Sequence, residues 1–205
     1  MERILVTGFE PFGGDLSNPS WTVAQAVKGD TFASFTVAAG KLPVDGARVG
    51  KTLERLLKRH EPRAVVMLGL SQRPQISIER IAVNALDYTI ADNAGRVRSG
   101  AIIAGGPDGI FSSLPVADIL EMWRSSNIPA QLSDSAGTYL CNQAFYLVRQ
   151  TRPQLMAGFI HLPLDETLAH ERAAAVAYMS IFDQITAVRV ALQVVANHLE
   201  RANDE

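Results

Sequence analysis

Apolar residues in this chain form short continuous runs that alternate with stretches of helical spacing. The runs at residues 3–9 and 64–70 are rich in branched side chains and carry a glycine near their end. Such runs are typical of strands buried on both faces of a parallel sheet. Further strands are predicted over 35–42, 128–132 and 156–162. The alternation of strands with helical stretches predicts an α/β protein.

Several helix starts can be recognised from capping residues and apolar spacing. Asn18 followed by Pro19 predicts one start, because asparagine caps a helix and proline suits its first position. The other helices predicted from apolar spacing cover residues 49–60, 115–125 and about 141–150, and a last helix follows Ser180. These helices lie between the predicted strands, as in successive βα units.

The spacing of apolar and polar residues changes in the middle of the chain. Residues 75–90 alternate apolar and polar positions, which predicts an antiparallel extension of the sheet, and residues 91–109 read as a long surface loop of the kind that often forms a lid. We therefore expect a three-layer α/β/α sandwich around a twisted, mixed and mainly parallel sheet. The 205 residues fit one domain, 1–205.

Composition narrows the class of protein. The chain has 47% hydrophobic and 20% charged residues with a net charge of −2, which argues against disorder and against a nucleic-acid partner. One cysteine and four scattered histidines show no metal-ligand spacing. The first apolar run is too short for a signal peptide, and no run reaches the ~20 residues that cross a bilayer. We expect a cytoplasmic protein that begins at Met1, with no membrane association, metal or organic cofactor.

Cys141 is the single cysteine and lies where a loop of small residues meets a predicted helix. The unpaired N–H groups and positive dipole of a helix start favour a thiolate, so we expect a lowered pKa for this thiol. The same N–H groups could receive an oxyanion. The alternative is that Cys141 is a small buried hydrophobic residue.

A thiol nucleophile needs a base and a group that orients the base. Among the histidines, His161 alone lies where a buried strand reaches the rim of the sheet, although it could be a purely structural residue. Glu79 interrupts an apolar alternation and is the candidate acid, unless it faces solvent beside Arg80. Three other carboxylates remain open for this role: Asp87, Asp92 and Asp134.

The glycine-rich loop 8–14 follows the first strand and carries Phe9 and Phe12. It lacks the features of a phosphate-binding loop or dinucleotide fingerprint. Ligands of α/β proteins bind at the carboxyl ends of strands, so these rings either line a ligand pocket or pack in the core.

Four stretches, in order, resemble one known family: VTGFEPFGG with NPSW, ERIAVN with DN-G, SDSAGTYLCN, and GFIHLP. Together they are similar to the pyroglutamyl peptidase I family, or pyrrolidone carboxyl peptidases, which are cysteine peptidases of α/β/α form. The resemblance extends from Ile4 to the last helix. It implies removal of N-terminal pyroglutamate (5-oxoproline) from peptides through a thioester acyl-enzyme, without a cofactor. It also implies a homo-oligomer, either a homotetramer or a homodimer.

The resemblance assigns roles to individual residues. It implies Cys141 as nucleophile, His161 as general base and then acid, and Glu79 as the group that orients the imidazole. Phe9 and Phe12 are implied to flank the lactam ring, with Asn18 of the NPSW stretch in the same substrate pocket. Pyroglutamate carries no ammonium, so such a pocket needs apolar walls and a few hydrogen bonds.

Two departures from the family pattern leave the substrate open. Thr89 stands where relatives commonly carry an arginine thought to support the oxyanion, so Thr89 is placed in the substrate site as a weaker donor. The turn at 69–74 also differs from the glutamine- and glycine-rich turn of the family, which helps to form the wall of the ring pocket. The alternatives are a related cysteine amidohydrolase with altered acyl specificity, or a weakly active protein that binds a lactam or a blocked N-terminus.

Overall fold

The computed structural model of the protein describes residues 2–172 and 176–204. The strands are β1 (Glu2–Phe9), β2 (Thr31–Phe32), β3 (Phe35–Leu42), β4 (Ala64–Leu70), β5 (Ile76–Glu79), β6 (Ile81–Val83), β7 (Leu86–Asp87), β8 (Ser99–Gly100), β9 (Gly109–Phe111), β10 (Ala130–Ser133) and β11 (Met156–Leu162). The helices are α1 (Pro19–Ala26), α2 (Val49–His60), α3 (Val116–Ser125), α4 (Leu140–Thr151), α5 (Glu166–Glu171) and α6 (Ile181–Asp204).

Seven strands form the main sheet, in the order β10, β5, β11, β4, β1, β3, β2. Neighbouring strands run parallel except where β11 meets β5 and where β3 meets β2. The mixed, mainly parallel sheet is therefore confirmed. Because β1, β4 and β11 are parallel neighbours, their carboxyl ends open on one edge of the sheet.

The sheet is covered by helices on both faces. Along β1, Ile4 and Val6 pack on the side of α1, α3 and α6, whereas Leu5 packs on the side of α2 and α4. The two-residue period of a strand sends successive side chains to opposite faces, so a continuous apolar run fits a strand covered twice. The three-layer α/β/α arrangement is confirmed.

The alternating segment 75–90 does not extend the edge of the sheet. Its first part, β5, is antiparallel to β11 as expected, but it lies inside the sheet and is parallel to β10 on its other side. The remainder leaves the sheet, and β6 and β7 pair with β9 and β8 instead. An alternating pattern specifies which residues share a face and does not specify the neighbouring strand.

The capping residues lie where the sequence indicated. Asn18 precedes α1 and its side chain accepts a hydrogen bond from the Ser20 N–H at 3.1 Å. The Ser180 hydroxyl likewise accepts from the Asp183 N–H at 3.1 Å at the start of α6. Within the described part of the chain, no helix has the length and apolar character needed to cross a membrane.

Candidate active site

Strand register places three side chains of the site on one face of the sheet. In β11, Phe159 lies opposite Glu79 of β5, and His161 lies opposite Gly69 of β4. Residues directly opposite in neighbouring strands point to the same face, and residues two apart in one strand do so as well. Glu79, Phe159 and His161 therefore share the face that α4 covers.

Helix α4 brings Cys141 to this face. Cys141 is the second residue of α4, as predicted from the loop-to-helix junction, and is half-buried. A Cβ atom added to Gly69 would lie 2.8 Å from Cys141 Sγ and 2.7 Å from the Phe159 ring. The glycine thus leaves room for the thiol against the sheet. His161 is the neighbour of Gly69 on the next strand, roughly 4.8 Å away, so the thiol and the imidazole both lie beside Gly69.

The imidazole is held by a buried carboxylate. His161 Nδ1 lies 2.7 Å from Glu79 Oε1, and both side chains are buried. The Phe159 ring packs against the imidazole with 4.8 Å between ring centroids. A carboxylate on Nδ1 fixes that nitrogen as the protonated one, which leaves Nε2 able to accept a proton. This pair is the arrangement that orients a general base.

Arg73 contacts the same carboxylate oxygen. Its Nη1 lies 2.7 Å from Glu79 Oε1 and 3.0 Å from the Ser133 hydroxyl. Burial acts to raise the pKa of Glu79, but the contacts with His161, Ser133 and Arg73 outweigh it and hold this pKa below its ordinary value. The carboxylate is therefore ionised at neutral pH.

The thiol does not follow the expectation of a lowered pKa. Burial, followed by the negative charge of Glu79, raises the pKa of Cys141 to about 12, and the opposing backbone hydrogen bond is too weak to reverse this. The helix start favours the thiolate, but a helix dipole contributes typically 0.3–1 kcal/mol, less than the cost of burying a charge beside a carboxylate. Burial and the charge of Glu79 thus favour the neutral thiol over the thiolate.

A cavity of about 230 Å³ opens beside the thiol. Its lining is mainly apolar, and the residues that line it are Phe9, Phe12, Asn18, Val44, Leu70, Ser71, Gln72, Ile90, Tyr139, Leu140, Cys141 and Arg172. Three residues placed in the substrate pocket by sequence, Phe9, Phe12 and Asn18, are thus together with Cys141. The turn after β4 supplies part of the wall, as expected for the segment 69–74.

The loop that carries Phe12 is fixed at both ends. Asn18 Nδ2 donates to the carbonyl of Glu10 at 3.1 Å, while Asn18 Oδ1 accepts from Ser20. The Glu10 carboxylate accepts from the Val44 N–H at 2.9 Å and from Asn93 Nδ2 at 3.1 Å. The hydrogen bonds of Asn18 are thus used within the loop, so this residue shapes the pocket wall.

Thr89 lies outside the cavity. Its side chain is exposed and it is not among the lining residues, whereas its neighbour Ile90 is. Among the described residues, the cation that lines the cavity is Arg172, which follows α5 and forms an ion pair with Asp15 at 2.7 Å. Arg172 therefore connects the end of α5 to the loop that carries Phe12.

The three alternative carboxylates have other positions. Asp92 is buried and accepts from the N–H groups of Gly46, Ala94 and Arg96. Asp134 forms an exposed ion pair with Arg80, and Asp87 is exposed. Glu79 is the one of these four carboxylates that contacts His161.

Sequence reasoning missed Gly69, Arg73 and Arg172. The apolar run of β4 shows a glycine near its end, but nothing local indicates which atom approaches it. The two arginines lie in a turn and after a short helix, where charged residues are common. No sequence signal separates them from solvent-facing arginines. In the described residues, no group of three or more His, Cys, Asp or Glu side chains is arranged to hold a metal ion.

A thiol, an imidazole bound to a buried carboxylate, and an apolar cavity at the carboxyl edge of an α/β sheet together define the class of cysteine hydrolases. Within that class, the chain belongs to the pyroglutamyl peptidase family, whose model matches residues 2–198.

Individual relatives match this chain over nearly their full length. The chain is 39% identical to a pyrrolidone-carboxylate peptidase of Coprothermobacter proteolyticus, with 98% of this chain and 100% of the relative covered. Its structure is similar to that of a mutant pyrrolidone carboxyl peptidase from Pyrococcus furiosus, with a TM-score of 0.92 at 37% identity, covering 96% and 99% of the two chains. The pyrrolidone carboxyl peptidase from Thermus thermophilus gives 0.87 at 44% identity, covering 93% and 98%.

Proposed function

We propose that the protein is a cysteine peptidase that removes N-terminal pyroglutamate from peptides. The observation that carries this proposal is the 2.7 Å contact between His161 Nδ1 and Glu79 Oε1, next to the thiol that Gly69 admits. Membership of the pyroglutamyl peptidase family supports the same reaction. In this proposal Cys141 is the nucleophile, His161 the general base and acid, and Glu79 the orienting group.

The first step is attack of Cys141 Sγ on the carbonyl carbon of the pyroglutamyl residue. Since the pKa of the resting thiol is raised, its proton passes to His161 Nε2 as the C–S bond forms. Glu79 stabilises the imidazolium that results. The carbonyl oxygen becomes an oxyanion, and the backbone N–H groups of the first turn of α4, which has no side-chain cap, are the donors available to it.

Collapse of this intermediate breaks the C–N bond to the next residue. The imidazolium gives its proton to the departing amine, and the pyroglutamyl group remains on sulfur as a thioester. Water then loses a proton to His161 and attacks the thioester carbonyl, which releases 5-oxoproline and restores the thiol. Every proton in this cycle passes through the imidazole.

The cavity supports an uncharged acyl group. Phe9 and Phe12 provide apolar walls for a flat lactam ring, and no aspartate or glutamate is among the described residues that line the cavity. An aminopeptidase that binds a free N-terminal ammonium needs a carboxylate at that position. Arg172, the one charged side chain among the described lining residues, is already paired with Asp15 and so offers no partner to an ammonium.

The experiment is hydrolysis of pyroglutamyl-arylamide by the wild type and Cys141→Ser, with prolyl- and alanyl-arylamides at matched concentration. We expect turnover of the pyroglutamyl substrate by the wild type alone. Preference for another acyl group would indicate a related amidohydrolase. Saturable binding of 2-pyrrolidone without turnover would indicate a binding protein, and either result would contradict the proposal.

The finer expectations of a cytoplasmic location and a homotetramer or homodimer belong to this proposal. Large apolar side chains of Leu16, Tyr178 and Phe182 are exposed on the chain, and their burial would favour association. Light scattering coupled to gel filtration should give a mass of two or four chains. A monomeric mass at micromolar concentration would contradict the oligomer.

A further inference from the structure

The Glu79 carboxylate has an asymmetric set of partners. Both Arg73 Nη1 and His161 Nδ1 lie 2.7 Å from Oε1, whereas the buried Oε2 has no hydrogen-bond partner within the described part of the chain. The side chain of Glu79 is completely buried. A buried anion needs a partner of opposite charge.

An imidazole that acts as a general base does not supply that charge. A general base must be neutral before it accepts a proton, so His161 offers Glu79 a hydrogen bond without a full charge. Arginine stays protonated at all working pH values. Arg73 is thus the permanent counter-ion of Glu79 while His161 is ready to act as a base.

Arg73 also reaches the segment that leads to the nucleophile. Its Nη2 donates to the carbonyl of Ser135 at 2.8 Å, and Nη1 donates to the Ser133 hydroxyl at 3.0 Å. Residues 134–139 connect β10 to α4, which carries Cys141. One guanidinium therefore joins the acid of the site to the chain that positions the thiol.

We propose that Arg73 is a positioning residue of this site, which keeps Glu79 charged and fixed toward His161 and anchors the segment before Cys141. The proposal rests on the function proposed above. It gives the turn between β4 and β5 a role beyond forming the pocket wall.

The charged and titratable groups around Glu79 can be named by element. They are Arg73 from the turn, His161 from β11 and Cys141 from α4, while Ser133 from β10 adds a hydroxyl. Arg80 follows Glu79 in the chain, but it pairs with exposed Asp134 at 2.6 Å. Arg80 is therefore a matched control arginine, since it is adjacent in sequence and bound elsewhere.

The test compares Arg73→Gln, Arg73→Lys and Arg80→Gln by separate measurement of kcat, KM and the pH profile of kcat/KM on pyroglutamyl-arylamide. For Arg73→Gln we expect kcat to fall about tenfold to hundredfold, the range typical when a supporting partner of an active-site ligand is lost. The acidic limb of the kcat/KM profile of Arg73→Gln should move to higher pH, because a Glu79 carboxylate without its arginine favours the imidazolium form of His161. KM should change little.

Arg73→Lys preserves the positive charge but not the two-pronged hydrogen bonding. We expect this variant to keep the wild-type acidic limb and to lose only part of kcat, while Arg80→Gln matches the wild type in both. Thermal melting tests whether each variant is folded at the assay temperature. If Arg73→Gln is unfolded there, the comparison of Arg73→Lys with the wild type decides the proposal. A wild-type kcat or a shifted limb in Arg73→Lys would overturn the proposal, as would an unshifted limb in folded Arg73→Gln. An inactive wild type would instead contradict the proposed function.

Discussion

Cys141 is subject to opposing electrostatic influences. The start of α4 favours a thiolate, whereas burial and the nearby charge of Glu79 favour the thiol, and the balance raises the pKa to about 12. Gly69 determines how deep the sulfur lies, because any side chain there would overlap it. The close packing at Gly69 that places Cys141 against the sheet also favours the neutral thiol over the thiolate.

This balance predicts the pH dependence of thiol alkylation. Because the pKa lies well above neutrality, the thiolate fraction should rise about tenfold per pH unit between about pH 6 and pH 9. The rate constant for iodoacetamide should rise with the same slope in the free enzyme. As the chain has one cysteine, mass spectrometry reports this site alone. A rate that is flat across neutral pH would show a preformed thiolate–imidazolium pair instead.

At the scale of elements, the start of α1 holds the pocket wall in place. Asn18 caps the helix and also binds the carbonyl of Glu10, so helix and loop share one side chain. A Cβ on Gly8 would lie 2.2 Å from the carbonyl oxygen of Ser20, so α1 begins in direct contact with β1. The orientation of Phe12 therefore depends on how α1 is capped.

Asn18→Ala should weaken both the helix and the pocket. Loss of a cap lowers the free energy of unfolding by about 0.5–2 kcal/mol. The loosened loop should raise KM for pyroglutamyl-arylamide about threefold to tenfold, equivalent to roughly 0.7–1.4 kcal/mol of binding, with kcat nearly unchanged. Ser180→Ala removes the comparable cap of α6 outside the cavity lining. Ser180→Ala should lower the free energy of unfolding by a similar amount and leave KM at its wild-type value. An equal rise of KM in both variants would contradict this role of Asn18.

At the scale of the whole molecule, both faces of the sheet carry an apolar cluster, but Glu79, His161 and Cys141 lie on one face alone. The face of α1, α3 and α6 contains one large apolar cluster, and Trp123 joins α3 to α6 through a 2.8 Å bond to the Ala187 carbonyl. The face of α2 and α4 contains the other cluster and the site. The sheet between them is the rigid part on which Glu79 and His161 lie.

This division predicts different effects for two core substitutions. Leu192→Ala, on the face away from the site, should lower the free energy of unfolding by about 2–5 kcal/mol without changing kcat/KM of the folded protein. Phe159→Leu should cost roughly 0.5–3 kcal/mol and also lower kcat, because the ring packs on the imidazole. Chemical denaturation and steady-state kinetics below the melting temperature measure both. Equal catalytic losses in the two variants would contradict the division.

The sequence by itself determined the elements and their class. Apolar stretches predicted five of the seven strands of the main sheet, and the runs of β1 and β4 are continuous because a strand covered on both faces has no polar side. Capping residues marked α1 and α6, since their side chains act on N–H groups only two or three residues away. The position of Cys141 in the first turn of α4 followed from the same local physics.

Tertiary structure decided which elements are neighbours and what each polar group contacts. Alternation in residues 75–90 could not show that β5 lies between β10 and β11, and this placement puts Glu79 beside His161. The pairing of Arg73 with Glu79, the raised pKa of Cys141 and the exposure of Thr89 likewise depend on residues distant in the chain. A sequence pattern reports the local backbone, whereas charge and burial depend on what folding brings near.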